Sequence, residues 1–302
     1  MSVPTEASVD QRRAALWAMV VQTLIASLAH IFGRTASLDF HPLVLPFLRM
    51  LGASTIFAVI FFSRGGLGTK QPTRLEWVKL AALAFSGITL NQTLYLSSLK
   101  YTSSANVALF YAMTPLAVLG ISTFITKTEQ PRGVRLLGVG LAVSGALIVI
   151  FARGGPSSNT MLLGNALAVI AVMCWAIYLS FSRVVLVGYD SFQATALLTM
   201  LGTLIYSPLG FYELKEFDAS AISVQGWFGL FYIVVFMSVA MYALLNFALS
   251  KLESSQVSIF MNAQPVCTAL FAAIFFGESL TIHFALGTAL AISGIFLMQR
   301  PS

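Results

Sequence analysis

The sequence predicts an all-α polytopic membrane protein, with ten transmembrane helices arranged as two inverted five-helix repeats around a central cavity. Three observations predict it. The chain is 58% hydrophobic and only 9% charged over 302 residues, with a mean hydropathy of +0.86, a balance that water-soluble globules do not carry. Many apolar runs reach the roughly 20 residues that a helix needs to cross about 30 Å of hydrocarbon. The chain also repeats itself. Shifted by 150 positions, Ser104, Asn106, Val107, Phe110 and Pro115 fall on Ser254, Gln256, Val257, Phe260 and Pro265. With a shift of 149, Glu129, Gly138 and Gly145 fall on Glu278, Gly287 and Gly294. A repeat spanning half the chain fixes the architecture once the elements of each half are counted.

Residues 1–13 form a polar arm carrying Arg12 and Arg13. Span 1 follows, from about Ala14 to Phe32. Ser27-Leu28-Ala29 gives it the look of a signal peptide, but Phe181-Ser182-Arg183 in span 6 echoes Phe32-Gly33-Arg34, and a discarded peptide needs no echo. Span 2 covers Leu43 to Phe62, span 3 Trp77 to Ser98, span 4 Ala105 to Thr126, and span 5 Val134 to Phe151. The first repeat is thus 14–153. The turn-forming segment 154–160 joins it to a second repeat, 161–299. There, span 6 runs from Met161 to Ser182, span 7 from Phe192 to Tyr212 and span 8 from Trp227 to Leu249. Span 9 covers Val257 to Phe276 and span 10 Ile282 to Met298.

Five is odd, so the second copy starts from the opposite side of the membrane. The halves are then related by a pseudo-two-fold axis in the membrane plane, as in secondary transporters. Lys and Arg in short loops set the orientation. With the N-terminus inside, Arg12, Arg13, Arg64, Lys70, Arg74, Lys79, Lys127, Arg132, Arg135, Arg183, Lys251 and Arg300 are cytoplasmic, against Arg34, Lys100, Arg153 and Lys215 outside. Arg49, at the head of span 2, belongs to neither group. Both termini are expected in the cytoplasm. The net charge of +6 is an orientation signal and calls for no nucleic-acid partner.

Every carboxylate falls near a span end or outside, so none marks an ion or proton path at mid-membrane. Mid-span Lys and Arg are missing too. This disfavours cationic drugs and phosphate-bearing substrates and suits a zwitterion or an uncharged solute in a neutral lumen. Uncharged polar and aromatic residues remain. Asn91, Tyr95 and Ser98 share one face of span 3, and Trp175, Tyr178 and Ser182 one face of span 6. Tyr242 and Asn246 stand one turn apart on span 8; span 4 offers Asn106 and Tyr111, span 9 Asn262 and Gln264, and span 1 Trp17, Gln22 and His30. These are the candidate substrate-binding groups, with His30 a candidate proton relay. The competing readings are interface anchoring for Trp17, Trp77 and Trp227, and helix–helix packing for Asn91, Asn246 and Asn262.

Pro115 and Pro265 remove a backbone donor and clash with the carbonyl four residues earlier, so kinks are expected in spans 4 and 9. The freed carbonyls of Tyr111 and Met261 would be neutral ligands for an ammonium group. The glycines of spans 5 and 10 instead let backbones approach, making these spans packing helices. Cys174 and Cys267 lie in apolar runs without metal spacing and read as core residues. No cofactor is expected. The three histidines, His30, His41 and His283, are far apart in sequence, and no nucleophile, base or metal cluster supports an intramembrane enzyme.

The five-plus-five repeat and the Pro-Glu-Gly pattern at Pro115, Glu129 and Gly138, repeated at Pro265, Glu278 and Gly287, resemble the drug/metabolite transporter superfamily. Within it the chain is similar to EamA-type exporters, especially the YddG-type aromatic amino-acid exporters of the bacterial inner membrane. The resemblance implies export of aromatic and other neutral amino acids through a cavity lined by spans 1, 3, 4, 6, 8 and 9. The partners are then a small-molecule substrate and the lipid bilayer, and the protein a monomer or homodimer. The chain lacks the span 1 glutamate of the four-span multidrug relatives, which speaks against proton antiport. The rival within the superfamily is a multidrug or other small-metabolite exporter.

Overall fold

The computed structural model describes residues 9–66, 72–125, 133–152, 159–186, 189, 191–241, 244, 247–248, 254–278 and 281–299. The described residues contain helix and no strand. The helices are α1 (Val9–Asp39), α2 (Val44–Ser63), α3 (Arg74–Ala84), α4 (Asn91–Tyr101), α5 (Ser104–Ala112), α6 (Thr114–Phe124) and α7 (Val134–Ala152). They continue as α8 (Asn159–Val185), α9 (Ser191–Glu213), α10 (Val224–Tyr232), α11 (Ser254–Phe276) and α12 (Ile282–Gln299). Two π-helical segments, Phe85–Leu90 and Ile233–Ala240, prolong α3 into α4 and extend α10. Among the described residues, five apolar stretches are long enough to cross a membrane by themselves: Asp10–Asp39, Val44–Ser63, Ser104–Ile121, Asn159–Ser182 and Phe192–Glu216. Val224–Ala240, Ala263–Phe276 and Ile282–Gly294 are shorter apolar helices.

Local chemistry sets the helix ends. Thr73 and Glu76 form a reciprocal capping box at the start of α3, satisfying two of the orphan donors there. Ser103 and Ser223 cap α5 and α10 by accepting from the N–H groups of Asn106 and Gly226. At the end of α11, Gly277 adopts φ 63°, a conformation open to glycine. Its N–H bonds to Ala273 O (3.1 Å), the bond of the αL C-cap motif, and the N–H of Glu278 bonds to Ala272 O (3.3 Å). That turn delivers the Glu278 carboxylate to Arg34, with which it forms an ion pair at the end of α1.

Packing is organised around two centres. α1 lies against α4, α10 and α11, α8 against α4 and α6, and α2 against α9. The second centre is the extensive contact between α7 and α12, the glycine-dotted spans 5 and 10. A Cβ on Gly145 would lie 2.4 Å from Gly287 O, and one on Gly294 would lie 2.4 Å from Gly138 O. The two helices cross backbone on backbone, as their small residues predict.

Candidate functional site

Buried polar side chains gather where α1, α4, α5, α8 and α11 meet. Asn91 opens α4 directly after the first π-segment and is 2% exposed. Its Nδ2 donates to the Tyr111 hydroxyl (2.7 Å) and to Ala171 O on α8 (2.8 Å). One turn further, the buried Tyr95 hydroxyl lies 3.2 Å from His30 Nδ1. The other nitrogen of the His30 ring lies 3.1 Å from Gln264 Nε2. With Gln264 donating, His30 accepts at Nε2 and donates from Nδ1 to Tyr95, so the contacts of a neutral imidazole are satisfied at both ends. The rings of His30, Tyr95 and Tyr111 meet edge to face, with Tyr95 and Tyr111 centroids 5.3 Å apart, an arrangement aromatic quadrupoles favour.

Hydroxyls on α1 brace this cluster. Thr23 Oγ1 donates to Phe260 O (3.2 Å), and Ser27 Oγ to Thr23 O (2.7 Å) and Gln264 O (3.3 Å). The cluster therefore draws on both halves of the chain, with every member uncharged. It can hydrogen-bond a polar solute and offer it aromatic faces. It supplies no nucleophile with a base, and among the described residues no group of His, Cys, Asp and Glu is placed to hold a metal ion.

Of the sequence candidates, Asn91, Tyr95, Tyr111, His30 and Gln264 come together here. Trp175 and Tyr178 form a separate stacked pair on α8, 4.8 Å between centroids and 15° apart. Tyr178 fills the space left by Gly87 in the first π-segment, where a Cβ would approach its ring to 2.3 Å. Trp17 is 70% exposed on α1, away from the cluster, in keeping with interface anchoring. Tyr242 and Asn246 lie outside the described residues, as does the side chain of Asn262.

The two prolines behave differently. At Pro115 the predicted interruption is present: α5 ends at Ala112, Met113 takes φ −82° and ψ 2°, and α6 starts at Thr114. The Tyr111 carbonyl, expected as a ligand for an ammonium group, instead accepts from Thr114 Oγ1 (2.6 Å). Pro265 lies within α11, which continues from Ser254 to Phe276 without a break. Residue 264 is Gln where residue 114 is Thr, so the second copy lacks a β-hydroxyl to capture the freed carbonyl and stabilise a break.

Two features escaped sequence reasoning. The π-segments have no residue signature, although they occupy matching places in the two halves. The sequence places Arg49 at the head of span 2, yet it is 6% exposed as the sixth residue of α2. It faces a cavity of about 40 Å³ shared with Met50, Ala53, Phe57, Ile88, Gln92, Thr199 and Ser238. The interior is therefore not devoid of cations. The available signal was a second echo, Met50-Leu51-Gly52 against Met200-Leu201-Gly202, which marks α2 and α9 as paired packing elements. A larger apolar groove, about 720 Å³ between α11 and α12, contains no member of the polar cluster.

The profile of the EamA-like transporter family matches residues 13–151 and again 162–300. The chain belongs to the EamA-like transporter family. Among relatives of this EamA-like protein, the threonine/homoserine exporter RhtA of Escherichia coli K12 is 31% identical over 296 residues, covering 93% of this chain and 92% of RhtA. An uncharacterized transporter of Archaeoglobus fulgidus is 27% identical over 285 residues, covering 92% of this chain and 95% of its own length. A solved crystal structure shares the fold with a TM-score of 0.64 at 17% identity, over 97% of both chains. The EamA-like chain is a multi-pass membrane transporter of the drug/metabolite transporter superfamily.

Proposed function

We propose that this transporter exports neutral amino acids, aromatic ones included, across the bacterial inner membrane by facilitated alternating access, with both termini in the cytoplasm. The observation that carries the reading is the uncharged cluster between the two halves, with His30, Asn91 and Tyr95 buried and Tyr111 and Gln264 half-buried. Amides and phenols suit a zwitterion, which brings both signs of charge and no net charge. Tyr95, Tyr111, Trp175 and Tyr178 would receive an apolar or aromatic side chain by stacking and burial. Asn91 and Gln264, with Tyr242, Asn246 and Asn262, would hydrogen-bond the backbone of the substrate. The name of the E. coli relative, a threonine/homoserine exporter, supports amino acids as the cargo class.

The break at Pro115 and the continuous helix at Pro265 would give the two gates unequal stiffness. The ion pair between Arg34 and Glu278 ties α1 to the α11–α12 turn and is suited to hold one end of the pathway shut. The test is uptake of labelled phenylalanine, threonine and a cationic dye into proteoliposomes with no imposed proton or sodium gradient. Uptake of both amino acids without the dye is the expected outcome. Transport of the dye alone, and only under a pH gradient, would replace this reading with multidrug antiport.

A further inference from the structure

We propose that Arg49 and Gln92 hold the charged head of an α-amino acid at the interface of the two repeats, the carboxylate on Arg49 and the ammonium on Gln92. The inference rests on the amino-acid reading for the identity of the substrate and moves its head group from the amides of the aromatic cluster to a site beside it, with Asn91 joining the two. The first observation is the position of the cavity. Under the 150-residue shift Arg49 exchanges with Thr199, and Ile88 with Ser238, and all four line the cavity. It therefore straddles the pseudo-two-fold axis, where both π-segments face α2 and α9.

The glycines of the Met-Leu-Gly echo make this approach possible. A Cβ on Gly52 would meet Val234 Cγ1 at 3.0 Å, and one on Gly202 would meet Ile88 Cβ at 2.7 Å. A site walled by both halves is the place where a transporter of inverted repeats holds its substrate while either gate opens.

The second observation is chemical. A guanidinium buried within a bundle of membrane helices is costly and marks a functional position, and its planar donors match a carboxylate. Among the described residues, Arg49 is the only charged one lining the cavity. One of its contacts is Nη2 to Met237 Sδ at 3.5 Å. Thr199 and Ser238 cannot compete as donors to an anion, because their hydroxyls donate to Thr195 O (2.7 Å) and Ile233 O (3.0 Å) of their own segments.

The third observation is Gln92. Its Nε2 donates to Asn91 Oδ1 (3.1 Å), while its buried Oε1 meets no donor among the described residues. A buried acceptor without a donor costs free energy, and an ammonium group supplies one. Gln92, Asn91 and the Tyr111 hydroxyl then form a continuous path from the head group to the aromatic cluster. About 40 Å³ admits the carboxylate end of a substrate and excludes its side chain, which is left to the aromatic rings.

The test compares purified wild type with Arg49→Gln, Arg49→Lys and Gln92→Glu, using L-phenylalanine, phenylalaninamide and 3-phenylpropionate. Two quantities are read: the ligand-induced shift in Tm in detergent and the KM for uptake. In wild type, phenylalanine and 3-phenylpropionate should raise Tm, and the amide should not. Arg49→Gln should abolish both shifts and raise the KM for phenylalanine about ten- to hundredfold, the worth of a charge-assisted bond. Arg49→Lys should restore part of the affinity.

If Arg49→Gln fails to fold, Gln92→Glu decides. Its carboxylate pairs with Arg49, retains the fold and should exclude 3-phenylpropionate. Phenylalanine uptake with the wild-type KM in folded Arg49→Gln or Gln92→Glu would overturn the site and leave amino-acid export standing. A Tm shift from 3-phenylpropionate that requires Arg49, in a protein that moves no amino acid, would support the carboxylate site and sink the transport reading. Stabilisation by chloride against methanesulfonate, with none from 3-phenylpropionate, would make the cavity an inorganic-anion site and overturn the proposal.

Discussion

The α7–α12 crossing and the polar cluster are both built from repeated elements, but one kept the symmetry and the other lost it. At the crossing, a Cβ on Gly145 would lie 2.4 Å from Gly287 O and 2.5 Å from Ala291 N, and one on Gly294 would lie 2.4 Å from Gly138 O and 2.5 Å from Ala142 N. Each contact maps onto the other by the 149-residue shift. In the cluster, by contrast, the repeat mates of Asn91, Tyr95 and Tyr111 are Met241, Leu245 and Met261, and Thr114 maps to Gln264. A packing seam between related helices is satisfied by identical small residues on both sides. A site that must recognise one asymmetric solute has no use for two copies of each group. Symmetry in this chain therefore reports packing, and its loss at the cluster is what the proposed substrate site calls for.

The largest expected effect tests the symmetric seam. A Cβ at Gly145 or Gly294 would run into backbone atoms at 2.4–2.5 Å, and backbone cannot rotate aside as a side chain can. Gly145→Ala and Gly294→Ala should each destabilise by about 1–3 kcal/mol, the usual cost of overpacking, and by equal amounts within about 0.5 kcal/mol. The double variant should cost less than the sum, because separating the helices once relieves both clashes. Denaturant unfolding in detergent measures all three. Markedly unequal single-variant losses would break the equivalence.

Asn91 tests the asymmetric region. Asn91→Leu removes both bonds from Nδ2 and leaves the Tyr111 hydroxyl and Ala171 O without that donor. The cost is about 1–3 kcal/mol per unsatisfied group, and amino-acid uptake should fall about tenfold or more. Met241→Leu, at the equivalent place in the second half, should cost less than about 1.5 kcal/mol as a volume-conserving swap and leave uptake near the wild-type rate. Parallel uptake assays on the two variants measure the asymmetry directly. Similar losses in both would make the cluster a packing feature like the seam.

The sequence discloses the symmetric part more readily than the asymmetric part for physical reasons. Glycine spacing on α7 and α12 speaks directly of backbone approach, and the i, i+4 placement of Asn91 and Tyr95 speaks of one helical face. Nothing local tells His30 that Gln264, 234 positions away, will be its partner, since that contact depends on how the halves fold together. The π-segments pack against the glycines of the facing elements, with Ile88 near Gly202 and Val234 near Gly52, and no residue propensity marks them. Pro115 and Pro265 look alike in sequence. What separates them is the Thr114 hydroxyl that captures the Tyr111 carbonyl, one residue away from the repeated proline. Arg49 is hidden by its nearness to the start of α2, because charge near a helix end is read as solvated until neighbours are known.

A smaller effect is expected at the Arg34–Glu278 ion pair, where the side chains are 24% and 12% exposed. Glu129 and Arg183 are the repeat mates; Glu129 and the side chain of Arg183 lie outside the described residues. Solvent access screens the pair, so a double-mutant cycle with Arg34→Gln and Glu278→Gln should give a coupling of about 1 kcal/mol. The exchange Arg34→Glu with Glu278→Arg should recover stability relative to either reversed single variant. A coupling near zero would reduce the contact to a surface pair and remove it as a tie between α1 and the α11–α12 turn.

The smallest effect is expected at Trp17. Aromatic character alone gives it the same claim on substrate as Trp175, but the two sit in opposite environments. Trp175 stacks on Tyr178 beside the first π-segment, whereas Trp17 is 70% exposed on α1, where an amphipathic ring anchors a helix at the membrane surface. Trp17→Phe keeps most of the apolar area and removes the indole N–H, so uptake of phenylalanine should change by less than about twofold. Trp175→Ala removes a stacked partner worth about 0.5–1.5 kcal/mol beyond its area and should raise the KM for aromatic substrates more than for threonine. A loss at Trp17 equal to that at Trp175, seen for phenylalanine and not for threonine, would move Trp17 into the substrate path and enlarge the asymmetric region to the start of α1.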